Sequence, residues 1–515
     1  MLFQNNTKSL SFKKWLWNKK ENRVLLLLSL SAICIQFIWF KIIYPYPHFI
    51  PDSHDYLIAA FNNYTINTWP IGYSKFLRLF SSFTSSHLLL VAFQYVFLQV
   101  TILYWLFSIG YLLELGKWVI RLLIGGSLLN PLLLYISNLI SADALFAALS
   151  LIWITQLLWL LYSPSIRLLL SHASVLLITF IVSYHALYYP LISICLIGYS
   201  QMHVKDKMIG ISTILVLLGA FIGRTQFQYY KATDTVQFSA LGGWQLASNA
   251  LYAYSNEEIP NVPSRIPAQF RQLHSLVNRH IDSLRQVPVR PDGELGDYYL
   301  SNEHSPLRKY IPSRLKNDSS IEGPFKCLAS MSPLYASYGC YLIQQHPCAF
   351  IKHYVMPNLF NYYAPNIEYL STYNMGRDTI DQMAIIWFGL KTNEIYTYHR
   401  NKQIIITKFF PIILATMNLA FTFCFICFVL SGGFIKSNIY SKRVLCWLLM
   451  FWISNMIFSL LASPIVLRNQ LLTMVITYTL ATWLISFIVQ ESRSMKTSQI
   501  IEHQNKEGVQ SELTM

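Results

Sequence analysis

Apolar residues along this chain gather into ten runs separated by polar stretches, at roughly 24–44, 87–113, 118–137, 143–162, 168–185, 187–200, 208–223, 405–431, 443–463 and 468–490. Most run to about 17–25 residues, the length of helix that crosses a hydrocarbon core. A short turn near Leu139 joins the third and fourth runs, and Tyr188–Pro190 joins the fifth and sixth. The pattern breaks once, over 224–404, which is too polar to span and carries a turn signal at Pro291-Asp292-Gly293. Within it, the stretch 350–370 is aromatic-rich and broken by prolines, as expected of a segment along the headgroup layer. The expected fold is an all-α polytopic membrane protein of about ten transmembrane helices with a mixed external region. Its parts are a basic N-terminus (1–23), a membrane core (24–223) with external loops 45–86 and 138–143, an external region (224–404), C-terminal membrane helices (405–490) and a polar tail (491–515).

Composition agrees: of the 515 residues, 54% are hydrophobic and 12% charged, about half the charge of a soluble protein. The net charge of +15 would suit nucleic acid in a soluble chain. In a membrane chain it reports cytoplasmic loops facing lipid headgroups, and no nucleic-acid partner is expected. Lys13, Lys14, Lys19, Lys20 and Arg23 precede the first run, which is too long for the apolar part of a secretory leader and lacks an A-x-A-like site after it. With the N-terminus inside, the inside segments hold 17 lysines and arginines and the short outside segments hold 4, Lys41, Lys75, Arg78 and Arg468. Both termini of this multi-pass protein are therefore expected in the cytoplasm. Cys34, Cys195, Cys424, Cys427 and Cys446 lie in apolar runs and read as small core residues. Cys327, Cys340 and Cys348 lie in the polar region, where one disulfide with one thiol left over is open.

This topology puts several chemically able side chains on one face. "PDSHDYL" (51–57) brings Asp52, Asp55 and Tyr56; "SNLISADALF" (137–146) brings Asp143; "SYHALYYP" (183–190) brings His185; "ASPIVLRNQLL" (462–472) brings Arg468. Each has a plain structural alternative. Asp52-Ser53 fits a helix cap, Ser141 a cap with Asp143 in the first turn, His185 a bond to a backbone carbonyl, and Arg468 a headgroup contact. Together they point further, because ionisable groups beside hydrocarbon are costly and tend to face a cavity. A carboxylate can take the proton of an attacking hydroxyl, and an arginine can hold a phosphate. Acids and a base at a membrane face therefore suit group transfer from a lipid phosphate. Two acids could share a divalent metal, the one cofactor open on these residues, but no ligand spacing demands it.

"PDSHDYLIAAF…WPIGYSKFL" (51–77), "NPLLLYISNLISADALFAALSLIWI" (130–154) and "SYHALYYP", in that order, resemble the membrane glycosyltransferases of the GT-C fold, in their dolichyl-phosphate-mannose-like and lipid A aminoarabinose-like branches. The resemblance covers about the first 200 residues. It implies transfer of one sugar, with inversion, from a polyprenyl-phosphate donor to a lipid, glycan or protein acceptor on the extracytoplasmic face. Asp52 matches the first acid of the first external loop, the family's base, and Asp143 the acid of the second. Ser53 stands where many members carry a second acid, and Ser183 where many carry an arginine. Phosphate binding would then fall to His185 or Arg468, with Asp55 and Tyr56 completing the substrate contacts. A polysaccharide polymerase or ligase and a lipid-linked saccharide flippase are the alternative readings; a flippase fits the external region of about 180 residues poorly.

Overall fold

The computed structural model describes residues 11–257, 266–286, 296, 298–312, 323–398 and 402–512. Among them every regular element is helical, and the only extended pairings are three isolated β-bridges. The main helices are α1 Lys20–Ile43, α2 Pro51–Phe61, α3 His87–Leu112, α4 Lys117–Leu128, α5 Leu132–Ser137, α6 Asp143–Tyr162, α7 Ile166–Val182 and α8 Tyr189–Tyr199. They continue as α9 Val204–Thr233, α10 Gly242–Ser255, α11 Gly323–Gln345, α12 Met356–Tyr363, α13 Phe410–Leu430, α14 Ile439–Ala462 and α15 Leu471–Glu512.

Among the described residues, seven helices are long and apolar enough to cross a membrane: Lys20–Ile43, His87–Leu112, Asp143–Tyr162, Val204–Thr233, Gln403–Leu430, Ile439–Ala462 and Leu467–Arg493. The chain is an all-α, multi-pass membrane protein in architecture. Three of the ten apolar runs do not form one long helix. The run 118–137 is cut into α4 and α5 at Asn130-Pro131, because proline removes a helical donor and restricts the residue before it. The runs after it give α7, of 17 residues, and α8, of 11 residues. At 1.5 Å per residue α8 reaches only about 17 Å.

Polar side chains knit the helix ends together at one end of the bundle. Pro51 opens α2 at a position where its missing N–H costs nothing. Ser53 Oγ accepts from the Ile50 N–H (3.0 Å) and donates to the Ile140 carbonyl (2.8 Å). A parallel bridge joins His48 to Leu139, and a second joins Asn366 to Val466. Asn358 completes the framework: its amide donates to the Leu460 and Ser463 carbonyls (3.0 Å each) and accepts from the Ile465 N–H (2.9 Å).

The polar region 224–404 divides in two. Residues from Trp244 to Tyr354 build their own core, in which α10 and α11 lie backbone to backbone. Glycine permits this approach: a Cβ at Gly243 would overlap the Ser332 carbonyl, and one at Gly339 would stand 2.8 Å from Ala247 N. From α12 onward the chain rejoins the membrane core, with Tyr362, Leu370, Tyr373 and Phe388 buried in it. In the aromatic stretch 350–370, Phe350, Tyr354, Tyr362 and Leu370 are buried, while Ile351, Met356 and Phe360 stay exposed. Among the described residues no disulfide forms between cysteines, Cys327, Cys340 and Cys348 included.

Candidate functional site

The two bridges set four chain segments side by side at one end of the bundle. His48–Leu139 aligns the approach to α2 with the approach to α6, which places Asp52 beside Asp143. Asn366–Val466 aligns the segment after α12 with the segment before α15, which places Glu368 beside Arg468. The Arg468 guanidinium stands at the centre. Its Nη1 donates to Asp52 Oδ2 (3.1 Å) and Asp143 Oδ2 (3.3 Å), and its Nε to Glu368 Oε2 (2.9 Å). The Tyr369 ring covers the guanidinium at 5.4 Å, a cation–π contact.

Three carboxylates surround one cation, and all four side chains are at most 19% exposed. Such a cluster carries a formal charge of −2 in a setting that penalises charge. Burial accordingly pushes the Asp52 carboxyl above its ordinary range, with Arg468 opposing and Asp143 reinforcing. Burial does the same to Glu368 against the pull of Arg468. A buried carboxylate with raised proton affinity is the form in which an acid serves as a base near neutral pH.

Glu368 also has a left-handed backbone, φ 44°, which side-chain-bearing residues adopt rarely and at a cost. Its N–H is held by Asn366 Oδ1 at 2.9 Å. Bent backbone at a charged, buried position marks a residue placed for its side chain rather than for the helix it begins.

Asp52 does not cap α2; Ser53 makes the capping contact and Asp52 turns to Arg468. Asp143 does open α6, yet it accepts from Ser141 Oγ (2.7 Å) and from Arg468 rather than serving only the helix dipole. His185 lies beside the cluster. Its Nδ1 meets Ser183 Oγ at 3.1 Å, and its ring shares a cavity of about 30 Å³ with Asp143, Phe146 and Arg468. That is room for water, not for a sugar. Burial lowers the His185 pKa, with Asp143 opposing and Arg468 reinforcing, so the ring is neutral at neutral pH. Tyr56 is buried edge-to-face against Tyr73, with ring centroids 4.9 Å apart, beneath the cluster. Asp55 faces another way, into a cavity of about 440 Å³.

Arg468, expected to face a phosphate, has Nε and Nη1 turned to carboxylates. It sits where a cation bridging the acids would sit, and among the described residues no group of three or more His, Cys, Asp and Glu side chains is placed to hold a metal ion. Glu368 is the residue that sequence reasoning missed; the available signal was a lone acid inside the apolar, aromatic "PNIEYL". No family model, curated protein or solved structure matches this chain.

Proposed function

We propose that the chain is an integral membrane glycosyltransferase of GT-C type. It moves one sugar from a polyprenyl-phosphate donor to an acceptor hydroxyl on the extracytoplasmic face of the inner membrane. The observation that carries this reading is the cluster of Asp52, Asp143 and Glu368 around Arg468, where the ends of membrane helices meet external segments. In the step we envisage, the acceptor oxygen bonds to the anomeric carbon as the bond from that carbon to the phosphate oxygen breaks. The acceptor proton passes to the Asp52 carboxylate, and the electron pair of the broken bond leaves with the phosphate. Asp143 and Glu368, through Arg468, fix the position and charge of Asp52, and neutral His185 orients water or substrate beside it.

The path of the chain supports a ten-pass topology with both termini in the cytoplasm. Asp52, Asp143, His185 and Arg468 lie together at one layer, which this reading makes the outer one. At the opposite layer Phe12 packs on Tyr111 and Trp159. The chain must therefore return to the site layer through α4 and α5 before Asp143, and through α7 before His185. On this reading α4 with α5, and α7, cross between the layers, and the segments assigned to the inside carry 17 lysines and arginines.

The test compares wild type with Asp52→Asn in membranes supplied with labelled polyprenyl-phosphate sugars, with protein abundance checked by blot. Loss of a general base is expected to lower transfer by about 10²–10⁴-fold. Equal transfer by an equally abundant variant would sink the assignment of Asp52. No transfer by either protein across the donor panel would favour the polymerase or flippase reading.

A further inference from the structure

The cavity of about 440 Å³ lies between the membrane core and the external core, walled by α2, the segment 64–68, the end of α9 and the start of α11. It is of the size of small-molecule sites. Its lining mixes hydrogen-bonding residues of several types, Asp55, Thr65, Thr68, Gln228, Lys231 and Lys326, with the Thr65 hydroxyl donating to Gln228 Oε1 (3.5 Å). Tyr64 and Phe325 add aromatic faces. A bare anion would meet Asp55 as well as the two lysines, and would leave the neutral hydroxyl and amide groups unused. A lipid chain would find apolar walls elsewhere, in a groove of about 250 Å³ lined by Leu129, Leu133, Phe410, Ile413 and Met474. Saccharide hydroxyls both donate and accept, and sugar rings present C–H faces to aromatic side chains. This lining matches that chemistry.

Its place relative to the carboxylate cluster is fixed by α2. Asp52 and Asp55 are three residues apart, so they sit about 4.5 Å apart along the axis and about 60° apart around it. One faces Arg468 and the other faces the cavity. The two charges interact, since Asp52 helps burial hold the Asp55 carboxyl above its ordinary range. The walls are fastened: Asn67 donates to the Asp55 carbonyl (3.0 Å), and Tyr229 OH to the Asn67 carbonyl (2.9 Å).

We infer that this cavity is the acceptor subsite and that its ligand is a hydroxyl-rich saccharide, held by Asp55, Thr65 and Gln228 on the face of α2 adjacent to the one that carries Asp52. The inference rests on the transferase reading for its role, but the binding it asserts is testable without turnover. Full-length protein in lipid nanodiscs is probed by saturation-transfer NMR with a panel of hexoses, hexuronates and their disaccharides. Saturable signal from at least one class is expected in wild type and in Asp52→Asn. Asp55→Asn and the cavity-filling Ala232→Trp are each expected to weaken it by about tenfold or more, as loss of a charged acceptor or of the space itself requires. Each variant is accepted only with an unchanged melting profile, and Thr65→Val with Gln228→Ala replaces any that misfolds. No binding by any class, or binding indifferent to these substitutions, overturns the inference. The two readings fail separately: sugar binding without transfer removes the transferase, whereas Asp52-dependent transfer with cavity-independent binding removes this subsite.

Discussion

Replacing Arg468 by methionine keeps most of the side-chain volume and removes the only positive charge among three buried acids. At an effective dielectric constant near 20, each carboxylate about 3 Å from the guanidinium is held by about 5 kcal/mol. Asp52 and Asp143 both lie within 3.3 Å of the same Nη1, so their oxygens are no more than about 6.4 Å apart, and their mutual repulsion is at least about 2.6 kcal/mol without the arginine. That repulsion equals about two pH units of extra proton affinity. In Arg468→Met, Asp52 therefore keeps its proton to a higher pH than in the wild type. The sign follows from linkage. A carboxyl that binds its proton more tightly folded than unfolded loses stability as pH rises from about 4 through its folded pKa. Burial already gives Asp52 and Glu368 this sign in the wild type, and the substitution extends the window upward. The expected penalty is about 3–5 kcal/mol near pH 8, as for any buried pair stripped of one partner, and distinctly less at pH 5. The assay is the apparent melting temperature of detergent-solubilised protein across pH 5–8, for wild type, Arg468→Met and Arg468→Met/Asp143→Asn. The double variant should recover part of the loss at pH 8. A penalty that is absent, or equal at both ends of the range, would refute the view that the acids are held ionised by Arg468.

Glu368→Gln keeps one contact to Arg468 while removing a charge, so kcat of transfer should fall by about 10-fold, with an acid limb moved from that of wild type; an unchanged pH–rate profile would leave Glu368 a purely structural partner. Asn358→Ala strips bonds from the Leu460 and Ser463 carbonyls and the Ile465 N–H, and at about 1 kcal/mol each should cost about 2–4 kcal/mol, read as a lower melting temperature. Gly243→Ala forces a Cβ against the Ser332 carbonyl and should cost about 1–3 kcal/mol, read as faster proteolysis of the external unit with the membrane helices intact.

The membrane architecture was legible because apolarity is a property of composition, and a run of some twenty apolar residues has few other uses. Continuity was less legible: the hydropathy of 118–137 is unbroken across Asn130-Pro131, although the helix is not. The candidate site was legible in its acids for a similar reason, since Asp52 and Asp143 stand out against hydrocarbon. What joins them was not. Arg468 lies 416 residues from Asp52, 325 from Asp143 and 100 from Glu368, and no local spacing encodes such pairings. They are made by two isolated bridges of one residue pair each, too short to leave the alternation by which a strand is read. Glu368 was hidden by company, an acid among aromatics that read as an interfacial segment. Its left-handed backbone could not be foreseen from a residue type that ordinarily avoids it. Asp55 and Asp52 looked alike in sequence, three positions apart on one helix, and the turn of α2 alone gives them separate surroundings. One meets a cation and two other acids; the other meets hydroxyls, amides and open space. If transfer occurs here, that 60° rotation is what lets a single short helix carry the proton acceptor on one face and hold the acceptor molecule against the neighbouring face.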